Sequence, residues 1–136
     1  MRRYRVAIVG ATGLVGEEMR KVLEERDFPV ESLRLLASGR SRGGGRPFKG
    51  EQLEVEELNE RSFSGVEIAL FSAGSVVDKK YAPLVVEEGG VVIDNSSAFR
   101  MEPEVPLVVP EVNGQEIRNH RGIIANPNCS TIQLVM

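Results

Sequence analysis

A glycine-rich turn near the N-terminus constrains the fold more than any other feature of the sequence. Residues 10–16 read GATGLVG, and they lie between a nearly continuous apolar run, predicted as a strand at 4–9, and a helical pattern of apolar residues. In such a turn Gly10 permits a tight change of direction, Gly13 lets backbone N–H groups approach a pyrophosphate, and Gly16 lets helix and strand pack closely. The turn therefore predicts a strand–turn–helix unit that binds a dinucleotide, and a tight turn without a ligand is the alternative.

The rest of the sequence alternates strand and helix patterns. One helix is predicted from Gly13 to about Asp27, because the residue before Pro29 is biased out of the helical conformation. A second helix is predicted to begin at Ser75, as its cap, and to end at Gly89. Further strands are predicted at 33–37, 53–58, 66–71, 91–94 and 121–125, loops at 38–50 and 95–114, and a last helix from Cys129 onward. This alternation predicts an α/β fold, Rossmann-like and doubly wound, with a mostly parallel sheet and helices on both faces.

Composition and charge exclude several classes of protein. The 136 residues carry 17 Lys and Arg against 20 Asp and Glu, a net charge of −3 that offers no basic field for nucleic acid or an anionic membrane. The single cysteine excludes an internal disulfide framework, and no apolar stretch approaches the roughly 20 residues of a membrane span. We therefore expect a soluble, cytoplasmic protein of one domain, without a metal site, that binds neither nucleic acid nor membrane.

The segment after the second predicted strand bears on which dinucleotide binds. An NAD site typically has Asp or Glu there to accept a hydrogen bond from the ribose 2′-hydroxyl, but residues 37–42 read ASGRSR and contain no carboxylate. Arg40, with the hydroxyls of Ser38 and Ser41, can hold a 2′-phosphate through charge-assisted hydrogen bonds. The segment thus favours NADP over NAD, with a solvated basic loop as the alternative.

A run of small residues follows the strand predicted at 66–71. Ser72, Ala73 and Gly74 would allow a cofactor to lie across the sheet at the point where the strand order reverses. The same residues are compatible with a plain helix start capped by Ser75.

The only cysteine, Cys129, lies in the sequence NPNCST (126–131), after a predicted strand and at the start of a predicted helix. A helix N-terminus favours the thiolate, and its free N–H groups can stabilise an oxyanion beside the sulfur. A thiolate near a nicotinamide suggests oxidation of an aldehyde through a thiohemiacetal to an acyl thioester. The alternative is a buried structural cysteine.

Two further polar residues have a functional and a plain interpretation. Arg100 ends the sequence DNSSAFR in the long loop, where the nearby Asn95 and Ser97 could complete a phosphate clamp, and a surface pair with Glu102 or Glu104 is the alternative. His120, the only histidine, lies in a polar turn and is predicted to be a solvated surface residue. No residue of this chain is therefore predicted as the general base.

These motifs together resemble the N-terminal part of the aspartate-semialdehyde dehydrogenase family. The segments that carry the resemblance are, in family order, VAIVGATGLVG (6–16), ASGRS (37–41), FSAGS (71–75), DNSSAFRM (94–101), VPEVN (109–113) and NPNCST (126–131). The resemblance implies that Cys129 is the nucleophile with Asn128 beside it, and that Arg100 binds inorganic phosphate or the substrate phosphoryl group. It implies NADP contacts from Thr12, Gly13, Leu14, Val15, Arg40 and Ser41.

The resemblance also implies an activity and a larger protein. Family members reversibly convert L-aspartate 4-semialdehyde, phosphate and NADP⁺ into 4-aspartyl phosphate and NADPH, a step toward lysine (through diaminopimelate), threonine and methionine. Members are much longer than this chain, so residues 1–136 are expected to form an NADP-binding domain that ends just after the cysteine motif. The substrate domain, the general acid/base and the interface of a homodimer or homotetramer are expected beyond Met136.

Two other functions remain open at this point. One is an enzyme like N-acetyl-γ-glutamyl-phosphate reductase, which performs related chemistry on a longer substrate but has its cysteine in a Gly-Cys-Tyr-Pro-Thr setting. The other is a non-catalytic NADP-binding sensor domain, in which Cys129 is structural.

Overall fold

The computed structural model describes residues 1–136 and contains one seven-stranded sheet. Its strands are β1 (Tyr4–Val9), β2 (Val30–Ala37), β3 (Gly45–Phe48), β4 (Glu51–Glu57), β5 (Ile68–Phe71), β6 (Val91–Asp94) and β7 (Ile123–Ala125). Its helices are α1 (Leu14–Glu25), α2 (Ser75–Glu87), α3 (Pro110–Asn113) and α4 (Cys129–Val135), with a 3₁₀ turn at Gly114–Asn119. None of these helices has the length and the apolar character needed to cross a bilayer.

The sheet is doubly wound around β1. Its strand order is β3-β4-β2-β1-β5-β6-β7, and only the β3–β4 pair is antiparallel. Because β2 and β5 flank β1 on opposite sides, the strand order reverses at β1. The predicted Rossmann-like, mostly parallel sheet is therefore confirmed, and ligands of such sheets bind outside the carboxyl ends of the strands at this reversal.

Neighbouring residues of β1 face two separate cores. Ile8 packs in one core with Met19 and Leu23 of α1, whereas Ala7 packs in the other with Ala82 of α2. Ile8 and Ala7 are both fully buried, as expected for a parallel strand covered on both faces. The two helices thus cover opposite faces of the sheet, as predicted.

The stretch 38–50, predicted as a loop, contains strand β3. This strand pairs with β4 in an antiparallel hairpin that turns at Lys49 and Gly50, with φ of 48° and 83°. Positive φ at both turn residues matches the twist of a two-residue hairpin. Glycines and Pro47 lower the strand propensity of this segment, but Pro47 is tolerated because β3 lies at the edge of the sheet, and Phe48 is buried. The loop prediction is therefore wrong for Gly45–Phe48.

A charged network attaches the β3 hairpin to α1. Glu17 of α1 accepts hydrogen bonds from Arg20 and, at 2.7 Å, from Nε of Arg46 in β3. Arg20 is only 6% exposed and donates from Nη1 to the carbonyl oxygen of Pro47 at 2.7 Å. Burial alone would raise the pKa of Glu17, but the hydrogen bonds and charges of Arg46 and Arg20 outweigh it and hold that pKa below its ordinary value. The hairpin is therefore held in place by ionised groups as well as by Phe48.

Ser75 is not the cap of α2. It is the first residue of the helix, and Gly74 occupies the cap position with φ 93° and no side-chain capping bond. A φ in this region is favourable only for glycine, so the backbone conformation of Gly74 sets the start of the helix.

The segment after β6 is more ordered than the predicted loop 95–114. It contains α3, and Leu107 bridges to Ala125 of β7. Val108 and Val109 are buried, which explains why this segment packs along the sheet instead of extending into solvent.

Candidate functional site

A cleft of about 500 Å³ lies at the carboxyl edge of the sheet, where the strand order reverses. The turn after β1, the segment after β2, the loop after β5 and one side of α2 contribute to its walls. The lining residues are Gly10, Thr12, Gly13, Ala37, Ser38, Gly39, Ser41, Leu58, Ser72, Ala73, Val77 and Tyr81. The cleft therefore occupies the position at which doubly wound sheets bind ligands.

Most of the residues predicted to bind the cofactor line this cleft. They are Gly10, Thr12, Gly13, Ser38, Ser41, Ser72 and Ala73. The predicted residues Leu14, Val15, Arg40 and Gly74 are close to lining residues in sequence but do not line the cleft themselves. Leu58, Val77 and Tyr81 also line the cleft, although they were not predicted as site residues. The available signal was the spacing of Val77 and Tyr81, which puts them one turn apart on the same side of α2.

Packing requires glycine at two of the three positions in the first turn. Gly10 has φ 86°, and a Cβ there would collide with the carbonyl oxygen of Ser72; a Cβ on Gly16 would collide with the carbonyl oxygen of Gly10. Gly13, by contrast, has φ −77° and ψ 169°, and its Cβ would lie 3.6 Å from the Gly10 oxygen, an ordinary contact. The fold thus has room for a side chain at position 13, whereas a ligand that approaches the backbone there would need that space.

A carboxylate that sequence analysis missed lies beside the segment after β2. Glu57, the last residue of β4, pairs with Ala37 across the sheet, and its side chain fills the space next to Gly39. Nη1 of Arg42 lies 3.5 Å from Oε2 of Glu57, whereas Arg40 is exposed and forms no ion pair. The contact depends on the parallel pairing of β2 with β4, so no local sequence signal could have found Glu57. Of these two arginines, only Arg40 is free of an ion pair and can bind an anion.

Arg100 is joined to the segment that carries Cys129. Its Nε donates to the carbonyl oxygen of Asn126 at 2.7 Å. Cys129 is exposed and is the first residue of α4. Asn128 caps that helix, because its Oδ1 accepts a hydrogen bond from the N–H of Ser130 at 2.9 Å. The predicted anion-binding and nucleophilic residues therefore belong to one connected region at the carboxyl edge.

The polar residues that precede Arg100 differ in exposure. Ser97 is exposed and Asn95 is half-buried, and the backbone N–H of Asn95 donates to the Phe71 carbonyl oxygen at 2.9 Å. Arg100 forms no ion pair with any glutamate, so the alternative of a surface pair is not realised.

His120 lies away from Cys129. It precedes β7 in the chain, whereas Cys129 follows that strand, so the two residues lie toward opposite edges of the sheet. His120 is half-buried, and its Nδ1 accepts a hydrogen bond from the N–H of Gly122 at 3.0 Å. The prediction of a solvated residue is therefore wrong in this respect. No group of three or more His, Cys, Asp or Glu is arranged to hold a metal ion.

One carboxyl behind the cleft is strongly perturbed. Asp78, in the first turns of α2, is fully buried. Burial, followed by the neighbouring Asp94, raises the pKa of Asp78 to about 8. The carboxyl of Asp78 is therefore mainly protonated at neutral pH.

Comparison with known proteins identifies the family. The model of the family described as semialdehyde dehydrogenase, NAD binding domain, matches residues 5–120. The chain belongs to this family. Semialdehyde dehydrogenases are thus its relatives, and the sheet and cleft described above correspond to their nicotinamide-dinucleotide-binding domain.

Its relatives in this family are longer proteins. The aspartate-semialdehyde dehydrogenase of Aquifex aeolicus is 60% identical over 98% of this chain, which spans 40% of that protein. A crystal structure of aspartate semialdehyde dehydrogenase II from Vibrio cholerae, complexed with ASA, is 55% identical with a TM-score of 0.92, over 98% of this chain and 44% of that one. The Candida albicans enzyme with NADP is 26% identical with a TM-score of 0.76, over 97% of this chain and 44% of that one.

Proposed function

We propose that this chain is the NADP-binding N-terminal part of an aspartate-semialdehyde dehydrogenase. The proposed reaction is the reversible reductive dephosphorylation of L-4-aspartyl phosphate to L-aspartate 4-semialdehyde, through an acyl thioester on Cys129. The name of a relative that is 60% identical over nearly the whole chain supports this proposal. We further infer a role in lysine, threonine and methionine biosynthesis, a cytoplasmic location and assembly as a homodimer or homotetramer.

The observation that carries the proposal is the hydrogen bond between Arg100 and the Asn126 carbonyl oxygen. It orients the guanidinium toward the segment that leads to Cys129 and leaves the two Nη groups without an ionic partner. A guanidinium can bind a phosphate through two parallel charge-assisted hydrogen bonds. An anion-binding arginine joined to the segment of an exposed thiol is the arrangement that acyl-phosphate chemistry needs.

We propose that the cleft binds a dinucleotide with a 2′-phosphate. The backbone of Thr12 and Gly13 would hold the pyrophosphate, because Gly13 keeps open a space that packing does not require. Arg40, with Ser38 and Ser41, would hold the 2′-phosphate, and Arg40 has no competing carboxylate. When bound, NADPH supplies the hydride that reduces the acyl carbon.

The chain's own residues would perform the acyl-transfer step. In the reducing direction, Sγ of Cys129 forms a bond to the acyl carbon, and the bond from that carbon to the phosphate oxygen breaks, with the electron pair leaving on phosphate. Arg100 stabilises the charge that the departing phosphate gains. Asn128, as the cap of α4, fixes the first turn of the helix and with it the position of Cys129.

Phosphate-dependent formation of NADPH from L-aspartate 4-semialdehyde, measured in the complete gene product, tests this proposal. Cys129→Ser is expected to lower kcat by at least about 1,000-fold, because a serine hydroxyl is a far weaker nucleophile than a thiolate. Arg100→Lys is expected to raise the KM for phosphate by about 10- to 100-fold, since the lysine ammonium cannot donate two parallel hydrogen bonds as the planar guanidinium can. Arg118→Lys is the matched control, because Arg118 is exposed in the 3₁₀ turn before β7 and should leave both constants unchanged.

The substrate comparison decides between the two enzymes. A preference for N-acetyl-L-glutamate 5-semialdehyde would reject aspartate-semialdehyde dehydrogenase in favour of the reductase. Tight NADP⁺ binding without turnover of either aldehyde would instead favour a sensor domain.

A further inference from the structure

Two aspartates meet in the core behind the cleft. Asp78 of α2 and Asp94 at the end of β6 are both 0% exposed, and their carboxyls are near enough for Asp94 to raise the pKa of Asp78. Oδ1 of Asp78 accepts a hydrogen bond from the N–H of Ala73 at 3.2 Å, and Oδ2 of Asp94 accepts one from the hydroxyl of Ser96 at 2.8 Å. The other two oxygens, Oδ2 of Asp78 and Oδ1 of Asp94, are buried and have no hydrogen-bond partner.

A proton held between the two carboxyls would satisfy both of these oxygens. A buried acceptor without a donor is costly, and two adjacent buried carboxylates repel each other. Burial and Asp94 raise the pKa of Asp78 to about 8, so that one proton is retained at neutral pH.

No positive charge compensates this pair. Asp78 is faced by Asp94 from β6, by the Ala73 amide from its own loop and by Ser96 from the segment after β6. The residues of β5 on this side of the sheet are apolar, Lys79 is exposed, and neither aspartate forms an ion pair. A cation therefore does not replace the proton.

The pair connects the two functional segments. Through Ala73 it contacts the loop 72–74, whose residues Ser72 and Ala73 line the cleft. Through Ser96, whose hydroxyl oxygen accepts from the N–H of Ala98 at 3.1 Å, it contacts the segment 95–100 that ends in Arg100. Neither aspartate lines the cleft, so any effect on a ligand acts through these loops.

We propose that Asp78 and Asp94 share one proton and that this pair is a positioning element. The pair holds loop 72–74 and segment 95–100 in their relative positions, so that loss of the proton weakens NADP binding. The part that concerns NADP rests on the proposed function. The shared proton itself rests only on the geometry of the two carboxyls.

Asp78→Asn tests the shared proton without any cofactor. The amide can accept from Ala73 and donate to Asp94, so it imitates the protonated acid at every pH. The native pair binds one more proton than the unfolded chain between the ordinary pKa of aspartate and about 8, and over this range wild type is destabilised as pH rises. Relative to Asp78→Asn, the unfolding equilibrium constant of wild type should increase about tenfold per pH unit between about pH 5 and pH 7.5, and level off above about pH 8. Denaturant unfolding at each pH measures this ratio.

Asp94→Asn is the second variant, and it should remove the same pH dependence because its amide can donate to Asp78. If wild type and both amide variants change stability in parallel with pH, the carboxyls share no proton and the proposal is overturned. A difference that grows with pH as described supports it, even if one of the variants is less stable at every pH.

Calorimetric titration with NADP⁺ tests the positioning role. Between about pH 7 and pH 9, wild type should lose about tenfold or more in affinity relative to Asp78→Asn as the pair loses its proton. If the stability ratio behaves as expected while the two affinities stay in constant ratio, the pair is only structural and the positioning role is rejected. If no protein binds NADP⁺ at any pH, the proposed function fails and the positioning role fails with it, while the stability comparison still decides the shared proton.

Discussion

Replacing the turn glycines one at a time separates a packing role from a ligand-binding role. At Gly16 a methyl group would collide with the carbonyl oxygen of Gly10 and lie 2.9 Å from the Cα of Ala11. These are backbone atoms that cannot rotate away, so we expect the upper end of the usual overpacking cost, about 3 kcal/mol. Alanine regains about 1 kcal/mol in helix propensity, which leaves a net loss of about 2 kcal/mol. For a domain of this size, that loss corresponds to a decrease in Tm of about 8 °C.

Gly13→Ala is expected to lower the affinity for NADP⁺ without lowering the stability of the fold. Its backbone angles suit any residue and its added Cβ would make one ordinary contact, so stability should change by less than about 0.5 kcal/mol. The same methyl would occupy the space where a pyrophosphate approaches the backbone, and NADP⁺ affinity should fall at least about tenfold. Gly114→Ala is the matched control, because Gly114 has helical φ and a Cβ there would contact nothing within 4 Å.

Thermal unfolding and calorimetric titration of the three variants measure both effects. A Gly16→Ala protein as stable as wild type would refute the packing argument. A Gly13→Ala protein that binds NADP⁺ as tightly as wild type would mean that the turn serves the fold alone.

Two other predictions concern charged residues. Arg40→Ala should weaken NADP⁺ about 10- to 100-fold and leave NAD⁺ binding unchanged, since charged hydrogen bonds contribute about 1.5–3 kcal/mol. Arg42→Ala is its control because Arg42 already pairs with Glu57, and an equal loss for both cofactors on titration of Arg40→Ala would argue against a 2′-phosphate site. The lowered pKa of Glu17 means that its stabilisation is present above the unfolded pKa of about 4.3 and is lost as pH falls through the lower folded pKa. Denaturant unfolding between about pH 6 and pH 3 should therefore show wild type losing stability relative to Glu17→Gln, and a constant difference would show that the ion pairs do not contribute.

The parts of the fold that could be predicted depend on local patterns. The boundaries predicted for β1 and β6 are confirmed, because both strands are largely apolar and each has a single charged residue, Arg5 in β1 and Asp94 in β6. Strand β3 was missed because its glycines and Pro47 oppose a strand locally. What stabilises it is pairing with β4 and burial of Phe48, which depend on residues further along the chain.

The same distinction between local and long-range determinants applies to the candidate site. The glycine turn could be predicted because its spacing is a local pattern, in which packing requires glycine at positions 10 and 16 and only a bound ligand would require it at position 13. Glu57 and Asp94 could not be assigned, because their importance comes from neighbours on other strands and helices: Glu57 lies beside Gly39, and Asp94 meets Asp78. A local sequence pattern contains no information about contacts between residues that lie far apart in the chain.

Both margins of the sheet are poor templates for a further strand. On one side, Pro47 has no N–H to donate, and its carbonyl oxygen is already occupied by Arg20. On the other side, β7 is only three residues long, and Ala125 exchanges hydrogen bonds with Pro106 and Val108. Little unpaired backbone is left to nucleate edge-to-edge aggregation. A second molecule that contacts either margin is therefore expected to be recognised mainly by side chains.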